Sequence, residues 1–151
     1  MLNSLEKLVS EVGALHSQLI LLIGEPNSGK SALLDALGSK RDLTPLSVGA
    51  ELGSKLAALP QRRRQLKATS ILRELADQHS KDNLLLIDNI ELLFDRTLQL
   101  DPLDLLKQHA RVRRVVAVWP GQMNEGRITY AATGHPEHQD YATDGVVPFA
   151  I

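Results

Sequence analysis

Leu2, Leu5, Leu8, Val9, Val12 and Leu15 recur at three- and four-residue steps, which predicts an amphipathic helix within residues 1–17. Gln18 then leads into Leu-Ile-Leu-Leu-Ile and Gly24, a short apolar run of the kind buried on both faces of a parallel sheet. Residues 31–37 read as a helix closed by Gly38. A second strand falls at 46–48, followed by a helix over 51–59 that Pro60 stops. Residues 65–79 are helical, with Leu66, Ile71, Leu72 and Leu75 on or near one face. Residues 84–87 form another buried strand, ending in Asp88. A helix over 102–110 begins with Pro102, which suits a first turn. The β-branched run 115–119 is a strand, and 127–131 is one more. From 133 to 151 there are turn residues and no period, so this tail is expected to be irregular. Short apolar strands alternating with helices predict an α/β fold, a parallel sheet with helices on both faces. No internal repeat or low-complexity linker divides residues 1–151, so a single domain is expected.

Composition narrows the function classes. The 151 residues include no cysteine, which excludes disulfides, thiolate metal sites and a cysteine nucleophile. Seventeen basic against 18 acidic side chains give a net charge of −1, unlike a general nucleic-acid coat. Two Phe, two Tyr and one Trp are too few for a base-stacking platform. No apolar run is long enough to span a membrane, and the start of the chain lacks the continuous apolar segment of a signal peptide. A cytoplasmic location is the expectation.

The densest chemistry lies at Gly24-Glu25-Pro26-Asn27-Ser28-Gly29-Lys30-Ser31, a full match to G-x-x-x-x-G-K-[ST]. Gly24 and Gly29 let the backbone turn so that successive N–H groups point at one anion. The helix that follows adds the positive end of its dipole. Lys30 is placed to reach the β- and γ-phosphates, and the Ser31 hydroxyl to bind Mg²⁺. Downstream, Leu84-Leu85-Leu86-Ile87-Asp88 is an apolar strand ending in a carboxylate, which makes Asp88 the second candidate on the metal. Hydrolysis also needs a group that orients or deprotonates water. Asn89 follows Asp88 and can position water but cannot act as a base. Glu91 faces the nucleotide if the chain turns helical there; otherwise it is a solvated carboxylate.

Other features carry weaker signals. Arg62, Arg63 and Arg64, with Lys67 and Arg73, read as an arginine finger, a nucleic-acid patch or a solvated helix start. Arg111, Arg113 and Arg114 precede a strand in which alternate residues face opposite ways, with Val112 at an exposed entry. Trp119 closes the strand from 115, and Gln122 and Asn124 are the next polar side chains at that sheet end. His135, Glu137 and His138 have metal-like letters without a fourth ligand.

GEPNSGKS, the LLLIDNIELLF run and the spacing between them resemble P-loop ATPases of the AAA+ kind. More narrowly, IDNIELLF and the late VAVWPG, ITYA and GHPEH segments resemble the small P-loop proteins of type 3 BREX phage-defence systems, the BrxF family. The resemblance implies a three-layer P-loop NTPase core, ATP and Mg²⁺ as ligands, and work alongside other BREX proteins in anti-phage defence, while the helical lid domain of AAA+ ATPases is expected to be missing because too few residues follow the strand at 127–131. DNA would then be reached mainly through partners, and a homo-oligomer is compatible. The family's catalytic glutamate is replaced by Asn89, so any ATPase activity is expected to be weak or partner-activated. A small-molecule kinase and a non-hydrolysing scaffold are the rival readings, and the absence of an N-K-x-D stretch favours adenine over guanine.

Overall fold

The computed structural model describes residues 1–13, 18–25, 27–130 and 139–151. Among the described residues there are five α-helices: α1 (Leu2–Val12), α2 (Lys30–Arg41), α3 (Val48–Ala57), α4 (Gln61–His79) and α5 (Pro102–His109). The strands are β1 (Leu19–Ile23), β2 (Leu46–Ser47), β3 (Leu84–Asp88), β4 (Arg114–Val118), β5 (Gln122–Asn124), β6 (Arg127–Tyr130), β7 (Gln139–Ala142) and β8 (Val147–Ala150). Five of them pair in parallel in the order β2-β3-β4-β1-β8.

Alternation along the strands builds the layers. Ile20, Leu22, Leu84, Leu86, Val116 and Val118 meet Leu5, Val9 and Val12 of α1 and Leu34 and Leu37 of α2. The opposite phase, including Leu21, Leu85, Ile87, Val115 and Ala117, packs on α3, α4 and α5. Both faces are covered, which is why β1 and the buried parts of β3 (residues 84–87) and β4 (residues 115–118) are continuous apolar runs.

Several elements depart from the sequence expectation. Helix α2 does not stop at Gly38 but runs on to Arg41, and Asp42 in the left-handed region ends it, its N–H bonded to the Gly38 and Ser39 carbonyls. Gly38 serves close packing instead: a Cβ there would lie 2.4 Å from the Leu43 carbonyl oxygen. Helix α3 starts at Val48 because the Ser47 hydroxyl accepts from the Ala50 N–H and caps it. Helix α4 begins at Gln61, directly after Pro60. Leu66, expected on the apolar face, is 78% exposed.

The largest correction concerns the C-terminal region. Strand β6 does not join the parallel sheet; it is the centre of an antiparallel sheet, β5-β6-β7. The tail from 133 to 151, expected to be irregular, carries β7 and β8. Strand β8 is a four-residue edge strand, too short for a period to show. The Ile151 N–H bonds to the Ile23 carbonyl, so odd-numbered residues point their N–H at β1. Pro148 is out of that phase, and its missing N–H falls on the open edge. Among the described residues no helix follows α5, and none is long and apolar enough to cross a membrane.

Candidate nucleotide site

Strand β1 ends at Ile23 and the chain turns through the glycine-rich loop into α2. The turn needs backbone freedom at two points, Asn27 at φ 62° and Gly29 at φ 94°. Gly24 needs its missing side chain for space: a Cβ would lie 2.8 Å from Ser28 Oγ and 3.1 Å from the Ile151 carbonyl oxygen. The first intrahelical bond of α2 runs from the Leu33 N–H to the Gly29 carbonyl. The N–H groups before it have no acceptor within the helix and present the positive end of its dipole. Ser28 Oγ is buried and has no hydrogen-bond partner among the described residues. A loop with open donors and an orphaned hydroxyl fits a bound anion.

Lys30 carries the positive charge of the site. Its Nζ donates to the Gly24 carbonyl at 2.8 Å and to the Trp119 carbonyl at 3.2 Å. Burial lowers its pKa from the ordinary value, against the opposing pull of Glu25, Glu91 and Asp88. Those three carboxylates therefore share its electrostatic neighbourhood. Strand β3 ends in the half-buried Asp88, and Glu91 is exposed in the first turn of a 3-10 helix, Ile90–Phe94. Between them Asn89 takes the left-handed conformation at φ 53°. Its N–H donates to Asp88 Oδ1 at 2.8 Å and its side-chain amide to Ser47 Oγ at 2.9 Å. Ser31 is exposed at the start of α2. Pro26 lies outside the described residues.

A solved structure named a DNA replication initiation factor is similar over 99% of this chain and 44% of that one, with a TM-score of 0.50 at 15% identity. AMPPCP-bound DnaA from Aquifex aeolicus is similar over 77% of this chain and 36% of that one, with a TM-score of 0.47 at 16% identity. The chain thus spans less than half the length of either structure. The likeness is one of fold, a parallel sheet with helices on both faces, and in this chain the phosphate-loop motif joins β1 to α2. No protein-family profile and no curated protein matches the chain.

Around the P-loop stand contacts that sequence patterns did not reveal. Ile151 backs Gly24 from the far end of the chain, and Ser47 holds Asn89 from β2. Trp119 contributes its main-chain oxygen, which no side-chain pattern can reveal. Its side chain is fully buried, with the indole N–H on the Thr129 carbonyl at 2.9 Å. Phe94 and Tyr141 meet it edge-on, and Tyr130 stacks on Phe94. This cluster fixes the antiparallel sheet beside the loop, and from β5 the Gln122 amide reaches Glu25 Oε2 at 3.4 Å. The side chain of Asn124 and residues His135, Glu137 and His138 lie outside the described set. Among the described residues no group of three or more acidic or His side chains is arranged for a metal.

The basic clusters have mixed fates. Arg62 and Arg63 are exposed at the start of α4, and Arg64 Nε donates to the Leu59 carbonyl at 3.1 Å. Arg113 pairs with Asp77. Arg114 is a clamp: its guanidinium donates to the carbonyls of Val9, Asp82 and Asn83, tying α1 to the turn before β3. Arg111 and Val112 are exposed.

Proposed function

We propose that the chain binds ATP with Mg²⁺ at the P-loop and works as a nucleotide-dependent component of a larger assembly. The observation that carries this reading is Lys30, a partly buried ammonium at the N-terminus of α2 that is held by the Gly24 and Trp119 carbonyls and lies in the field of Glu25, Glu91 and Asp88. Main-chain N–H groups at the start of α2 and the Lys30 ammonium would hold the phosphates, and Ser31 with Asp88 would hold Mg²⁺, which neutralises phosphate charge when bound. Glu91 is the candidate base, and Asn89 the candidate for positioning water. Lys30→Ala should abolish nucleotide binding in calorimetry with ATP–Mg²⁺, and unchanged affinity would overturn the assignment.

The Asn89 geometry favours slow or partner-dependent hydrolysis. Its amide is engaged by Ser47 and has no basic lone pair, so a non-hydrolysing, nucleotide-ordered scaffold is the second reading. Phosphate release that stays at the buffer rate, with or without DNA and partners, would favour the scaffold. A cytoplasmic role in type 3 BREX phage defence, together with other proteins of such a system, is supported by the IDNIELLF and VAVWPG segments. Plaque counts on cells carrying the system with Lys30→Ala test it; undiminished protection would count against the role.

A further inference from the structure

A second cationic site stands at the other end of the sheet. Arg113 immediately precedes the first residue of β4, whereas the P-loop follows the last residue of β1, which runs parallel to it. A five-residue strand, roughly 16 Å, separates the two ends. There, between α4 and α5, lies a groove of about 270 Å³ lined by Arg73, Asp77, Gln108, His109, Val112 and Arg113, among others. Two guanidiniums and an imidazole meet a single carboxylate. Arg113 spends one donor on Asp77 and one on Ser80 Oγ, which leaves three of its five N–H groups. Arg73 is exposed and makes no ion pair among the described residues.

The charged groups facing the His109 ring are Arg73 and Asp77 from α4 and Arg113 from the turn before β4. Burial lowers its pKa from 6.5, the two arginines lower it further, and Asp77 only partly opposes them. The groove thus holds positive potential that its own carboxylate does not cancel. A monocarboxylate ligand would repeat what Asp77 already does for Arg113. A tetrahedral dianion instead matches two guanidinium forks and a protonated imidazole. The volume exceeds that of one such group, and Val112, 66% exposed, offers an apolar rim to the remainder of a ligand.

We propose that the α4–α5 groove binds a phosphate group of a larger ligand through Arg73, His109 and Arg113, independently of the P-loop. Two sources share this chemistry, a mononucleotide and the backbone of a nucleic-acid strand. Sulfate is the first probe, because its charge is constant over the titration range of histidine. The His109 ring resonance, assigned by its loss in His109→Gln, is followed by NMR against pH. Saturating sulfate should raise its pKa by about one unit, equivalent to about tenfold tighter sulfate binding on the acid side. Arg73→Gln should abolish the rise, and Lys30→Ala should leave it intact. An unshifted ring, or an equal shift in Arg73→Gln, would overturn the site, as would loss of the response in Lys30→Ala, which would trace it to the P-loop. AMP and a short single-stranded oligonucleotide then distinguish the sources. Whichever reproduces the shift names the ligand class, and failure of both refutes the proposal.

Discussion

At the scale of single residues, two glycines show how space rather than flexibility can dictate identity. Gly38 lies inside α2, where the chain returns so closely that the Leu43 N–H bonds to its carbonyl at 2.8 Å. A methyl group there would meet a backbone oxygen at 2.4 Å, and backbone cannot rotate away as a side chain can. Gly38→Ala should therefore destabilise the fold by about 1–3 kcal/mol, although alanine is the better helix former. A lower urea midpoint at unchanged slope would show it, and a stability gain would contradict the packing. Gly24→Ala acts on the site instead. Its Cβ would press on Ser28 Oγ and the Ile151 carbonyl, forcing the loop open. A strain of about 1–3 kcal/mol, where relieved by distorting the phosphate cradle, corresponds to a loss of about five- to 100-fold in ATP affinity, measurable by calorimetry.

At the scale of elements, what could be read from the sequence was whatever has a local cause. Strand β1 and the buried parts of β3 and β4 are unbroken apolar runs, and the P-loop letters carry their own geometry. Pro102 marks the start of α5, and the structure adds the Asp101 carboxylate, which accepts from the Asp104 N–H. The antiparallel sheet and β8 escaped because their causes are distant. Val147–Ala150 is too short to show a period, and it becomes a strand only because β1 offers it an edge. Gly38 misled for the same reason, since a glycine near a helix end looks like a stop until its neighbours across the fold are known. Around the candidate site, Lys30, Asp88 and Glu91 could be named as candidates from their letters, while Ile151, Ser47 and the Trp119 carbonyl could not. The Asp101 charge also acts on the aromatic cluster. Tyr141 is pushed up to about 12, first by burial and then by Asp101. A raised phenol pKa stabilises the fold fully below the unfolded value of about 10 and loses that contribution as pH rises through about 12. Ultraviolet titration should find Tyr141 ionising late, and Tyr141→Phe should remove this component of alkaline unfolding. A phenol ionising at its ordinary value would contradict the packing of β7.

Across the whole molecule, a net charge of −1 conceals segregation of charge between the two ends of the sheet. Carboxylates gather near Lys30 at the P-loop end, and arginines gather near His109 at the other. This arrangement makes the protein sensitive to acid through one imidazole in particular. In the unfolded chain His109 would titrate near its ordinary 6.5, and in the folded chain burial, Arg113 and Arg73 hold it lower. Between those values the unfolded state binds more protons. The associated stability is present above about 6.5 and is lost as pH falls toward the folded pKa. Other groups also weaken the fold in acid, so the comparison must isolate this one. Urea unfolding of wild type and His109→Gln, near pH 7 and near pH 5.5, does so. The wild-type midpoint should fall more between the two conditions than the variant midpoint. Equal falls would mean that the ring is not held below its unfolded pKa and that the arginines do not act on it.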